Sequence, residues 1–152
     1  MSLARRNRKP VPHMLITRTL ANTDLEIKDR QCINAFTFGV ATTEHFDRLL
    51  LIMNLLLVAG QTDKSRRHAL DYAEQILKPV ITSIRNRYLK TGKLGVNAEE
   101  LKILWGVPDF NREFWLRQPG EVFDFAQEQV NEYYRELAAK RGAATQQQGQ
   151  LT

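Results

Sequence analysis

The chain has 152 residues, 43% of them hydrophobic and 26% charged, with a formal net charge of +5 and one cysteine. That length suits one domain with room for a real core, and a lone Cys32 excludes an intramolecular disulfide framework and fits a reducing cytoplasm. Arg5, Arg6, Arg8, Lys9 and Arg18 fall in the first 18 residues, which hold no acid; the remaining chain is balanced, with 17 basic and 17 acidic residues.

Residues 1–21 read as a basic extended arm, because Pro10 and Pro12 oppose early helix. The arm has the charge of a secretory signal but no sustained apolar stretch. A helical domain is expected over residues 22–142. Asn22, Thr23 and Asp24 supply capping chemistry for a first helix that carries Leu25, Ile27, Cys32, Ile33 and Phe36 and ends before Gly39.

Thr42 and Thr43 cap the next helix, which contains LLLIMNLLLVAG, residues 49–60. This run is too short for a bilayer, which needs about 20 apolar residues. Phe46, Leu49, Leu50, Met53, Leu56 and Leu57 follow helical spacing, but Leu51, Ile52, Leu55 and Val58 fill most of the opposite side. A helix apolar almost all round must be covered almost all round, and a second copy of the chain is an economical cover. Leu51, Ile52, Asn54, Leu55 and Val58 are therefore the expected interface of a homo-oligomer. Asn54 either pairs with its symmetry mate and fixes register, or bonds water or backbone at a rim.

KSRRHALDYAEQILKPVITSIRNRYLKTG is the clearest amphipathic segment, with Leu70, Ala73, Ile76, Leu77, Val80, Ile84 and Tyr88 on one stripe. Pro79 should kink or divide it, and Gly92 should end it. Asn97 and Glu100 form an expected capping box for a shorter helix that closes near Gly106 and Pro108. GVPDFNREFWLRQPGE then reads as a turn-rich connector. A last helix starts at Glu121 and carries Val122, Phe125, Ala126, Gln129, Val130, Tyr133 and Leu137, and residues 143–152 read as a disordered polar tail. No segment alternates with period two. The expected fold is all-α, a small bundle of four to five helices with a basic N-terminal arm and a disordered C-terminal tail.

Chemistry is sparse along this chain. His13, His45 and His68 have no partner at ligand spacing, Cys32 stands alone, and no phosphate-cradling glycine loop or nucleophile motif occurs. The expectation is a protein with no cofactor, no metal and no catalytic residues. Trp105, Phe110, Phe114 and Trp115, interleaved with Arg112 and Arg117, could stack on single-stranded bases, but large rings more often close a core. Residues 62–93 carry a basic surplus and residues 97–136 an acidic one, which suggests that these parts lie alongside each other or on neighbouring subunits. ITSIRNRYLKTGK faintly resembles a recognition helix, without the turn that such a motif needs. Nucleic-acid contact would fall to Arg5, Arg6, Arg8 and Lys9, with Arg85, Arg87, Lys90 and Lys93 as a second patch.

INAFTFGVATTEHFDRLLLIMNLLLVAGQ, with Asn34, Gly39, Ala41, Thr42, Asp47, Asn54 and Gly60, is followed by a long helix, Gly92 and Glu100-Leu101. Together with the start NRKPVPH, this pattern resembles small helical proteins encoded by proteobacterial bacteriophages and conjugative elements. The resemblance implies a mobile-element accessory protein in bacterial cytoplasm and supplies no site residues. The expected function is non-enzymatic binding of a host or element protein, of regulatory or anti-defence type such as inhibition of a host defence complex. The alternative is DNA or RNA binding by the basic arm and third helix.

Overall fold

A computed structural model describes the backbone of residues 12–150 and the side chains of residues 23–146. Every regular element among them is helical. Helix α1 spans Pro12–Thr37. Proline suits a first helical position, where its missing N–H would be unpaired anyway, and the helix takes in residues 12–21 of the expected arm. Arg5, Arg6, Arg8 and Lys9 lie outside the described residues. At the other end of α1, Gly39 adopts φ 71°. The Val40 N–H then reaches Ala35 O at 2.9 Å and the Gly39 N–H reaches Phe36 O at 3.3 Å, a left-handed helix stop that few other residues allow.

Helix α2 spans Thr43–Thr62. The Thr42 backbone N–H donates to His45 Nδ1 at 2.9 Å, so His45 takes the place that Glu or Gln holds in a capping box. After a 3₁₀ turn at Lys64–Arg66, α3 runs in three stretches: α-helical Arg67–Asp71, π-helical Tyr72–Leu77, and α-helical Lys78–Thr91. The π turn lies directly before Pro79, so one widened turn accommodates the missing N–H and the helix does not divide there. Gly92, at φ 71°, stops α3 by donating to Tyr88 O at 2.7 Å.

Helix α4 spans Ala98–Leu116. Its expected capping box is present: the Glu100 N–H donates to Asn97 Oδ1, and the Asn97 N–H to Glu100 Oε1, both at 2.8 Å. The helix does not close at Gly106 and Pro108, however, and takes in most of the expected connector. Val107, Pro108, Asn111, Phe114 and Trp115 are buried along it, so packing outweighs the local cost of proline and glycine. Helix α5 spans Gly120–Gln150, which includes residues 143–150 of the expected tail.

Side-chain contacts give the arrangement. Arg48 of α2 meets Asp29 of α1, and the Cys32 thiol donates to His45 O at 3.1 Å, so α1 and α2 are antiparallel. Pairs Thr37–Trp105, Arg30–Asp109 and Glu26–Arg112 align α4 antiparallel to α1. Helix α5 packs along α2, from Arg66–Gln118 at one end to Asn54–Tyr134 further on.

Helix α2 is the centre of the core, and its cover comes from its own chain. Leu49, Ile52, Met53, Leu55, Leu56, Ala59 and Gly60 are all buried within it. The expectation that a second subunit covers this helix is corrected for Ile52 and Leu55, which are only 2% and 6% exposed in the single chain. Leu51, Asn54 and Val58 are half-buried, and the Asn54 amide donates to Tyr134 Oη at 3.0 Å within the chain. Helix α5 supplies much of that cover because Ala126 and Val130 bring it close. No helix among the described residues is long and apolar enough to cross a membrane.

Candidate binding pocket at the helix junction

Where α1, α2, α4 and α5 meet, a polar chain runs through the apolar interior. Asp29 lies on the buried stripe of α1, between Leu25 and Cys32, and is 2% exposed. A carboxylate there is costly unless its charge and lone pairs are answered. Arg48 supplies the charge: Nε donates to Asp29 Oδ1 at 2.8 Å, and Nη2 lies 2.7 Å from the same oxygen. Asn111 donates through Nδ2 to Asp29 Oδ2 at 2.9 Å, and the Trp115 indole N–H donates to Asn111 Oδ1 at 2.9 Å. No buried side-chain nitrogen or oxygen among the described residues is left without a partner.

This chain forms one wall of a cavity of about 80 Å³. Leu25, Leu51, Ile52, Leu55 and Phe123 give it an apolar floor, and Glu26, Arg48, Arg112 and Gln127 stand around it. Outside this rim the charges interlock: Arg30 donates to Glu26 at 3.0 Å and to Asp109 at 2.7 Å, and Arg112 reaches Glu26 at 3.4 Å. The hydrogen bond to Asp109, and after it that to Glu26, hold the Arg30 guanidinium still more firmly in its charged form.

Behind the pocket, rings lock α3, α4 and α5 together. Tyr72 stacks on Phe110 at 3.7 Å between centroids, and His68 meets Phe114 edge-on at 5.5 Å. Phe114 meets Trp115 at 4.8 Å, and Trp115 meets Phe123 at 4.9 Å, both edge-on. Burial pushes the Tyr72 hydroxyl and the Cys32 thiol each up to about 12. Three of the four aromatics in the sequence cluster thus belong to the interior, whereas Trp105 is exposed and its indole N–H donates to Thr37 Oγ1 at 3.1 Å.

The expected basic patch is only partly assembled. Arg85, Lys90 and Lys93 are exposed. Arg87 turns inward: it donates to Gly95 O at 2.6 Å and to both oxygens of buried Glu100, at 3.0 and 3.3 Å. It braces the α4 capping box and is corrected from a nucleic-acid contact to a structural ion pair. The same bond is the ion pair that links the basic stretch 62–93 to the acidic stretch 97–136 among the described residues. ITSIRNRYLKTGK continues α3 with no turn before it, so it forms no separate recognition helix. No three His, Cys, Asp or Glu side chains among the described residues are grouped to hold a metal ion.

Sequence reasoning missed Asp29, Arg48, Asn111 and the pocket they border. The available signal was Asp29 itself, a charge in line with Leu25, Cys32, Ile33 and Phe36. The chain matches no protein-family model, no curated protein and no solved structure.

Proposed function

We propose that this protein is a non-enzymatic binding module, a mobile-element accessory factor that engages a host or element protein in a regulatory or anti-defence role. The observation that carries this reading is the state of the groups converging on the pocket. Asp29 has both carboxylate oxygens taken by Arg48 and Asn111, and Glu26 is held by Arg30 and Arg112. A general base needs a lone pair available to a substrate proton, and a nucleophile needs an activating base within reach. Here the buried carboxylate, Asp29, is spent on shape, and Glu26 has Oε1 bound by Arg30 and Arg112. What they frame is an apolar recess with a polar rim, the form that accepts one anchoring side chain from a partner.

The test is affinity capture from bacterial lysate, with and without nuclease, comparing the wild-type chain with Leu51→Trp. Leu51 is half-buried at the pocket wall, so the larger ring fills the recess, and a melting curve checks that the variant is folded. A protein held after nuclease treatment and lost with Leu51→Trp is the expected result. Capture unaffected by the variant, or abolished by nuclease, contradicts it.

A nucleic-acid reading keeps one supporting observation, the exposure of Arg85, Lys90 and Lys93 at the end of α3. It requires binding that falls steeply with salt and weakens when those three are replaced by Gln. A mobility-shift titration at two salt concentrations checks this.

A further inference from the structure

Glu or Gln ordinarily closes a capping box at the third helical residue, and neither changes charge near neutral pH. In α2 that place is held by His45, and histidine is the side chain that ordinarily takes up a proton between pH 5 and 8. The Thr42 N–H, 2.9 Å from Nδ1, is a fixed donor, so Nδ1 is the bare nitrogen of the ring and the proton sits on Nε2. A second proton makes Nδ1 a donor too, and two N–H groups then face each other. Thr42 Oγ1, 3.1 Å from the same Nδ1, is placed to accept from it instead.

The corner between α1 and α2 is fastened at two points. At Gly39 the Val40 N–H is held by Ala35 O at 2.9 Å, a bond in which neither partner titrates. At Thr42 the bond runs to the imidazole. The backbone of His45 is anchored separately, because the Cys32 thiol donates to His45 O at 3.1 Å and burial pushes that thiol up to about 12. The other charged or titratable groups around the ring are Glu44, Asp47 and Arg48 on α2, and Asp29 on α1, which is paired with Arg48. Tyr88 of α3 and Lys93 after it border a recess beside Thr42 and Thr43. None of these side-chain types ordinarily changes charge between pH 5 and 8. Thr42 is exposed, so water takes over its N–H when the ring lets go, and the change is confined to the corner.

We propose that His45 is an acid-released latch on the α1–α2 corner. The neutral ring holds Thr42; the imidazolium lets it go and frees residues 41–43, with the Gly39 stop left in place. The freed stretch forms one side of the recess whose other side is Tyr88, Gly92, Lys93 and Leu94, so acid reshapes that recess. The latch is independent of the binding-module reading.

The ¹⁵N-labelled full-length protein is titrated from pH 8 to pH 5, with the His45 ring nitrogens and amide hydrogen exchange as readouts. At pH 8 the ring should be in the Nε2–H form. The Thr42 protection factor should fall about fivefold across the midpoint of the His45 ring, the effect of losing one helix cap, while Val40 and the buried Leu56 keep theirs. His45→Gln supplies an acceptor that takes up no proton, so its Thr42 protection should stay level over the same range. Thr42 protection that stays level in the wild-type chain while the ring titrates overturns the proposal, as does an Nδ1–H ring at pH 8 or a fall that persists in His45→Gln. A loss of protection that Leu56 shares overturns it too, because the whole helix then loosens and not the corner.

Discussion

Asp29 brings a charge into the interior, and the stability of the molecule depends on that charge being answered. Removing it alone strands Arg48, whose side chain is only 21% exposed, so Asp29→Ala should cost about 3–5 kcal/mol. Replacing the pair together, as Asp29→Leu with Arg48→Met, should recover most of that loss, since a buried ion pair and a packed apolar pair are often close in energy. Urea midpoints of the two variants decide it: equal losses would mean that the pair is not coupled. Cys32 and Tyr72 act at high pH. Their folded pKa values are raised to about 12 from 9.0 and 10.0, so the stability they hold is intact below pH 9 and is lost as pH climbs towards 12. Urea midpoints should therefore stay level up to about pH 9 and then fall, less steeply in Cys32→Ala with Tyr72→Phe. A midpoint flat to pH 12 would refute the assignment. At this scale the sequence was half readable. Asp29 stands in line with Leu25 and Cys32 by spacing alone, but its partners lie 19 and 82 residues away and no local pattern points to them.

Helices divide by whether their boundaries are decided locally or by packing. The Asn97–Glu100 box, the Gly39 and Gly92 stops and the Thr42 cap were legible because each depends on a few neighbouring residues. Pro108 misled because its cost is local while its compensation is not: Phe114 and Trp115 are buried only if α4 continues. Two glycines give a matched test of this distinction. A Cβ at Gly60 would come within 2.5 Å of Leu70 N, where α2 and α3 touch, so Gly60→Ala should destabilise by about 1–3 kcal/mol. Gly106 lies inside α4 with nothing within 4 Å of a Cβ, so Gly106→Ala should stabilise by about 0.5–1 kcal/mol. Thermal melts that gave both changes the same sign would contradict these helix contacts.

At the scale of the whole molecule, the all-α class was plain from periodicity, whereas the cover that the chain itself gives Ile52 and Leu55 was not. Sequence shows how much of a helix perimeter is apolar but not how far a later helix reaches, and α5 arrives about 70 residues downstream through Ala126 and Val130. A core closed within one chain predicts a melting temperature independent of concentration between about 1 and 100 μM; a rise with concentration would show that folding needs a second copy. The pocket was legible least of all, because four helices contribute to it and it exists only once they are assembled.

A binding module of the kind proposed would dock its partner on this four-helix recess. Site-specific photocrosslinking tests it most directly, with a benzophenone side chain placed in turn at Gln127, on the pocket rim, and at Lys140, exposed and far along α5. Illumination in nuclease-treated lysate should give a discrete protein adduct from position 127 that Leu51→Trp abolishes, and none from position 140. Adducts from 140 alone, or from 127 but unaffected by Leu51→Trp, would contradict it.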